Sequence, residues 1–201
     1  NTYGATKLLM EKLFVDAANY VNPQKHRTKF VALRYGNVLG SSGSVIPKFI
    51  EQIKKGKKIT VTDPKMTRFS ITMNEALDFI LESTLMSVGS EVIIPKLKAY
   101  TILDIKNSLF ELLGDTGEEI IGMREGEKLH ELLISQYEMK DTWEINNKYV
   151  LTNSMRKQHI IDQYSKKLVH PEGLKEYSSD IAEMMNNEKL KEIIKSSGML
   201  Q

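Results

Sequence analysis

The feature that most limits the fold is a switch of hydrophobic period near residue 30. Residues 3–20 carry Leu8, Leu9, Leu13, Phe14, Ala17 and Ala18 at helical spacing. The polar stretch 22–27 ends that helix. Residues 30–39 then form an apolar run rich in β-formers, which predicts a buried strand. A helix leading straight into a buried strand is half of a β–α–β alternation, and it favours a parallel sheet.

The alternation continues. A helix is predicted from about Ser44 to its stop at Lys54-Lys55-Gly56, and a short strand over 58–63. The next helix has Ala76, Leu77, Ile80, Leu81 and Leu85 as its apolar face, with Thr72 or Asn74 as cap and Thr72/Glu75 as a capping box. A strand over 91–95 precedes a helix opened by Thr101 and stopped by Gly114. A strand over 119–122 leads into a charged run, 123–131, read as a solvated turn and helix start. Beyond Trp143 the pattern weakens: 150–180 reads as polar and irregular, and 187–195 as a short helix.

Composition narrows the function. The 201 residues hold 28 basic and 26 acidic side chains, a net charge of +2, so neither a nucleic-acid surface nor a membrane surface is expected. The absence of cysteine excludes disulfides, thiolate metal sites and cysteine nucleophiles. The four histidines lack ligand spacing, and His130-Glu131 does not open a zinc motif because position 134 is Ile, so no metal is assigned. No apolar run reaches membrane-spanning length.

Three groups of residues could carry chemistry. Tyr3 and Lys7 are four apart, so on a helix they share a face, with Cβ atoms roughly 5–6 Å apart. A neighbouring ammonium favours the phenolate and makes a phenol usable as an acid/base group. The run from Gly40 to Pro47, with Ser41, Gly43, Ser44 and Val45, follows a strand and enters a helix; it reads either as an anion-binding turn or as a capped loop. Arg68 is either a phosphate clamp or half of a surface salt bridge.

Five blocks, taken in order, resemble one family. They are Tyr3-Gly4-Ala5-Thr6-Lys7, Arg34-Tyr35-Gly36-Asn37-Val38, the Gly40 to Pro47 run, Met66-Thr67-Arg68-Phe69-Ser70-Ile71-Thr72 and Gly126-Glu127-Lys128-Leu129-His130-Glu131. The chain resembles the inverting UDP-N-acetylglucosamine 4,6-dehydratases of the extended short-chain dehydrogenase/reductase superfamily. That resemblance implies an α/β fold: the C-terminal part of a Rossmann-like doubly wound parallel sheet plus a smaller α+β substrate-binding domain. Residues 1–40 would complete the dinucleotide-binding domain with its catalytic helix. Residues 41–201 would mainly bind nucleotide sugar, interleaved with returning Rossmann elements.

The implied reaction has no net redox change. The sugar C4 position gives a hydride to NADP (or NAD), water leaves across C5–C6, the hydride returns to C6, and C5 is reprotonated from the opposite face. Tyr3 and Lys7 would be catalytic and, with Tyr35 and Asn37, would contact the cofactor. Asn37, Ser41, Gly43, Ser44, Val45, Arg68, Arg124 and Glu127 would bind the UDP-sugar. A cytoplasmic homo-oligomer acting in surface-glycan biosynthesis is implied.

Some positions depart from the family pattern: Ser70 stands where an aromatic residue is frequent, and Ser42 where a basic one is. The family's Asp-Lys pair for elimination lies upstream of the Tyr. The chain has no glycine-rich dinucleotide loop after a strand; Gly114-Asp115-Thr116-Gly117 follows a helix. The sequence therefore reads as the C-terminal part of a longer enzyme, inactive on its own. A UDP-sugar epimerase of the same branch, or a non-catalytic nucleotide-sugar-binding domain, stands as the alternative.

Overall fold

The computed structural model describes residues 2–21, 25, 28–41, 43–164 and 167–200. In chain order the elements are α1 (Thr2–Ala17), β1 (Ala32–Leu33), β2 (Asn37–Val38), α2 (Val45–Lys54), β3 (Ile59–Val61), β4 (Thr67–Ile71), α3 (Met73–Met86), β5 (Glu91–Pro95), β6 (Ala99–Thr101), α4 (Ile102–Leu113), β7 (Glu118–Ile120), β8 (Leu132–Ile134), a 3₁₀ turn (Met139–Asp141), β9 (Thr142–Ile145), β10 (Lys148–Thr152), α5 (Lys157–Gln163), β11 (Tyr177–Ser178) and α6 (Asn187–Ser196). The fold is α/β, with the parallel pairs β1/β5, β2/β4 and β3/β7.

The chain divides into two units. The first takes residues through Tyr35, Leu77–Lys96 and Leu132–Tyr177. Its sheet runs β1-β5-β10-β9, parallel at β1/β5 and antiparallel at the other two pairs. Ile145, Val150, Ile160, Tyr164 and Leu168 form a buried cluster in it, with Trp143 against them. The second unit takes Gly36–Ala76, Leu97–Glu131 and Ser178 onward. It holds the sheet β2-β4-β6 and the pair β3-β7. Its core gathers Ile46, Phe49, Ile53, Ile59, Ile105, Leu109, Leu190 and Ile194 from α2, β3, α4 and α6. Each such side chain removed from water contributes roughly 1.5–3 kcal/mol.

Several expectations change. The single strand over 30–39 is two strands, β1 and β2, interrupted at Arg34-Tyr35-Gly36. At the end of that interruption a Cβ on Gly36 would meet the Phe69 Cβ at 2.4 Å, so only glycine lets the chain pass. The stretch 150–180 is not irregular, since it continues β10 and holds α5 and β11. The turn Asn146-Asn147, with Asn146 at φ 52°, joins β9 to β10 as a hairpin. No helix starts within 123–131. On α3 the buried positions are Ala76, Phe79 and Ser83, while Leu77, Leu81 and Leu85 of the expected apolar face are exposed. On α1 the expected face is also largely outward: only Val15 is buried in the helix. The predicted terminator at 22–27 lies, apart from Lys25, outside the described residues.

The local signals for other helices hold. Thr72 and Glu75 form the capping box, with Thr72 N–H on the Glu75 carboxylate at 2.8 Å and Glu75 N–H on Thr72 Oγ1 at 3.2 Å. Thr101 caps α4 in the same way through Asp104. Among the described residues, no helix is long and apolar enough to cross a membrane.

Candidate active site and nucleotide pocket

In the first unit, α1 presents Tyr3 and Lys7 side by side. Lys7 Nζ lies 5.3 Å from the centroid of the Tyr3 ring, as one helical turn of separation requires. Both side chains are solvent-facing, Tyr3 being 71% exposed. A phenol and an ammonium so placed can both donate to vicinal hydroxyls. Tyr35 belongs to the same unit and meets Phe79 edge-on at 5.9 Å.

The second unit contains a cavity of about 190 Å³. Its lining is built by β2, the turn after it, the first turns of α2, and β4 and β6. Ile46, Phe49, Met66, Tyr100 and Ile102 supply apolar surface; Asn37, Ser44, Thr62, Arg68 and Glu127 supply polar groups. Whole drug-sized ligands fill roughly 300–1,000 Å³, so this space would take only part of such a ligand. Of the substrate residues expected from sequence, Asn37, Ser44, Val45, Arg68 and Glu127 share this lining. Ser41, Gly43 and Arg124 are outside it and exposed. Ser42, noted as a departure from the family pattern, lies outside the described residues.

Ser44 is the residue before α2, but its hydroxyl makes no cap bond and is buried without a partner. Such an oxygen at a helix N-terminus is available to a ligand. Glu127 and Arg124 close a turn on each other: the Arg124 N–H donates to Glu127 Oε2 at 3.1 Å and the Glu127 N–H to the Arg124 carbonyl at 3.0 Å.

Arg68 is deeply engaged. Nη1 donates to the carbonyls of Thr67 (2.7 Å) and Leu129 (3.1 Å), and Nη2 to Met66 Sδ (2.6 Å) and the Lys128 carbonyl (3.0 Å). Nε faces Glu131 Oε1 at 3.7 Å. Its guanidinium thus ties β4 to the segment that carries Glu127.

Sequence reasoning missed the polar layer behind this cavity. Thr67 Oγ1 meets His130 Nδ1 at 2.8 Å and Ser179 Oγ at 2.7 Å, and the Glu131 N–H donates to Ser179 Oγ at 2.8 Å. The Glu131 carboxylate accepts from Phe69 N–H at 3.1 Å and from the Asn37 side chain. Burial pushes the Glu131 carboxyl up, against the opposing pull of Arg68 and those hydrogen bonds. Burial also raises the Tyr100 hydroxyl above the ordinary phenol range, with the Glu131 charge adding to it. The hydrogen-bonded partners in this layer are 48 to 112 positions apart, a separation that no local spacing rule covers. Among the described residues no cluster of three or more His, Asp or Glu could hold a metal ion.

Known proteins bear on this arrangement. Residues 1–154 match the family described as polysaccharide biosynthesis protein. The chain is 40% identical to the UDP-N-acetylglucosamine 4,6-dehydratase (inverting) of Campylobacter jejuni, over 96% of this chain and 59% of that protein. It is 34% identical to the UDP-glucose 4-epimerase of Rickettsia massiliae, over 96% of this chain and 57% of that one. Among solved structures it resembles Pen from Bacillus thuringiensis, with a TM-score of 0.82 at 32% identity, covering 100% of this chain and 58% of that chain. The chain therefore spans less than two thirds of the length of these relatives. It belongs to the polysaccharide biosynthesis protein family, within the extended short-chain dehydrogenase/reductase group.

Proposed function

We propose that this chain is the catalytic-helix and nucleotide-binding part of a UDP-N-acetylglucosamine 4,6-dehydratase that inverts C5. The observation carrying this reading is the Tyr3–Lys7 pair, solvent-facing on one side of α1, in a chain 40% identical to an enzyme of that name.

Tyr3 takes the proton of the sugar C4 hydroxyl as that carbon is oxidised. Lys7, one helical turn along, donates to ribose hydroxyls of the cofactor. A bound nicotinamide dinucleotide, NADP by the family pattern, supplies the hydride acceptor and donor. The exposed donors Tyr3 and Lys7 fit its ribose, and the sequence carries no Gly-x-x-Gly-x-x-Gly run for its pyrophosphate. The new C4 ketone acidifies the C5 proton, which permits loss of water across C5–C6. In the second unit the apolar walls around Phe49, Tyr100 and Ile102 suit a flat base, while Asn37, Ser44 and Glu127 offer polar groups to ribose and diphosphate. Arg124, whose side chain is exposed, would pair with phosphate. Arg68 acts behind it by holding the 127–131 segment.

The full-length enzyme would work in the cytoplasm as a homo-oligomer, and the 201 residues alone would not turn over. Incubating full-length protein with UDP-N-acetylglucosamine and NADP, and reading the product by mass spectrometry, tests the proposal. Loss of one water is expected. A C4 epimer of unchanged mass would assign the chain to the epimerases, as in the Rickettsia relative.

A further inference from the structure

We infer that Arg34 is a positioning residue for the catalytic helix, acting through Glu11. The inference rests on the reading of Tyr3 and Lys7 as catalytic. Within these 201 residues, α1 is exposed at every position from Thr2 to Met10. The apolar and backbone anchors cluster at the other end. Val15 and Ala18 are buried, Phe14 meets Phe30 at 6.3 Å, and Ser90 Oγ donates to the Val15 carbonyl at 3.2 Å.

Between these ends lies Glu11. Tyr3, Lys7, Glu11 and Val15 succeed one another at four-residue steps and so form one ridge along the helix. Its lower half is anchored and its upper half carries the chemistry. Arg34, at the end of β1, grips Glu11 with both arms of its fork, Nε to Oε2 at 2.8 Å and Nη2 to Oε1 at 2.6 Å. The same guanidinium is fixed from behind. Nη1 and Nη2 reach the two oxygens of Glu138 at 3.1 and 2.9 Å, and Nη1 also donates to the Leu133 carbonyl at 2.6 Å. Ser135 holds Glu138 in turn through its N–H and its hydroxyl, both at 3.0 Å. Lys12 brings a second cation, 3.5 Å from Glu11 and 3.9 Å from Glu138. The three groups are largely shielded, with side-chain exposures of 18%, 11% and 22% for Arg34, Glu11 and Glu138.

A planar bidentate pair resists rotation of the helix about its own axis, which a point charge does not. Side-chain tips lie about 5–6 Å from a helix axis, so a turn of about 10° moves them by roughly 1 Å. A misplacement of that size can lower a rate by about 100-fold. Lys7 and Tyr3 ride on the same helix, so their mutual distance is indifferent to such a turn; only their aim at substrate changes.

The test uses full-length protein and UDP-N-acetylglucosamine. Arg34→Lys keeps the charge and loses the fork; Arg34→Met combined with Glu11→Leu and Glu138→Gln removes the fork and both carboxylates it holds, leaving no unpaired charge behind. Arg34→Lys is expected to lower kcat by about 100-fold, with KM within about threefold and the pH profile of kcat unmoved. The triple variant is expected to recover Tm but not kcat. Recovery of kcat together with Tm, or a kcat for Arg34→Lys within threefold of wild type, overturns the positioning role. Tyr3→Phe in the same assay separates the two readings. If it leaves kcat unchanged, the catalytic reading of α1 falls and this inference with it; if it abolishes turnover while Arg34→Lys does not, only the positioning role falls.

Discussion

α1 and α2 have helical periodicity in common and little else. The ten residues of α2 turn Ile46, Phe49, Ile50 and Ile53 into one core and put Glu51 and Lys54 outward. The sixteen residues of α1 bury Val15 alone, leaving Leu9 and Leu13 each 61% exposed. One helix is secured by apolar area, the other by a charged fork at Glu11 and a few contacts at its C-terminal end. The difference teaches that hydrophobic spacing specifies a helix without specifying what covers it.

The comparison breaks most visibly at Tyr3. Tyr3→Phe should lower kcat of the full-length enzyme by about 10²–10⁴-fold. Because the ring is solvent-facing in these 201 residues, the melting temperature of the 201-residue chain with the same substitution should match wild type. A comparable loss of stability would mean that α1 is held by its apolar ring after all.

On the α2 side, Phe49 is 1% exposed, and Phe49→Ala should lower unfolding free energy by about 3–5 kcal/mol in denaturant titration. Leu13→Ala in the same 201-residue chain should change it far less. Equal costs would erase the contrast between the two helices.

Charge sharpens the contrast within the first unit, where two carboxylates are pushed in opposite directions. Glu91 is fully buried; burial raises its carboxyl, against hydrogen bonds from Val88 N–H (2.7 Å) and the Tyr164 hydroxyl (3.2 Å). A raised folded pKa means the native state binds more protons above the ordinary carboxylate range, so stability falls as pH rises through the raised value. Glu91→Gln should flatten that slope and gain on wild type at pH 8 relative to pH 5, read as Tm. Glu138 runs the other way. Although burial opposes it, Arg34 and Ser135 hold its carboxyl down at about 2. Its contribution is complete above the ordinary value of about 4.3 and is lost as pH falls from there toward 2. Removing Arg34 should shrink that acid limb in a pH titration of stability, leaving the part that Ser135 supplies.

The smallest effect is expected on the outer face of α1. Leu9→Gln and Leu13→Gln should each change the stability of the 201-residue chain by no more than about 0.5 kcal/mol. A larger loss would show that these side chains are covered.

Much of the fold was legible where the signal is local. The Thr72/Glu75 box, the Thr101 start of α4 and the Gly114 stop all follow from side chains within a few residues of the backbone they satisfy. The Tyr3–Lys7 adjacency was legible for the same reason, being one helical turn. Leu77, Leu81 and Leu85 were misread because periodicity marks an apolar row but not the side facing the core, which here holds Ala76, Phe79 and Ser83. The β9–β10 hairpin had a signal in Asn146-Asn147 between two apolar runs, and it was missed in a charged neighbourhood. Tyr100 and Glu131 were out of reach, since burial and partners distant in sequence define them. Gly36 needs its glycine only because Phe69 crosses there.

The most direct measurement of Tyr3 as the acid/base of a dehydration is turnover of UDP-N-acetylglucosamine by full-length protein in deuterated water. A product that has lost one water and carries a solvent deuteron at C5, absent with Tyr3→Phe, is the expected result. Undiminished formation of that product by Tyr3→Phe, or a product with no solvent deuteron, would contradict it.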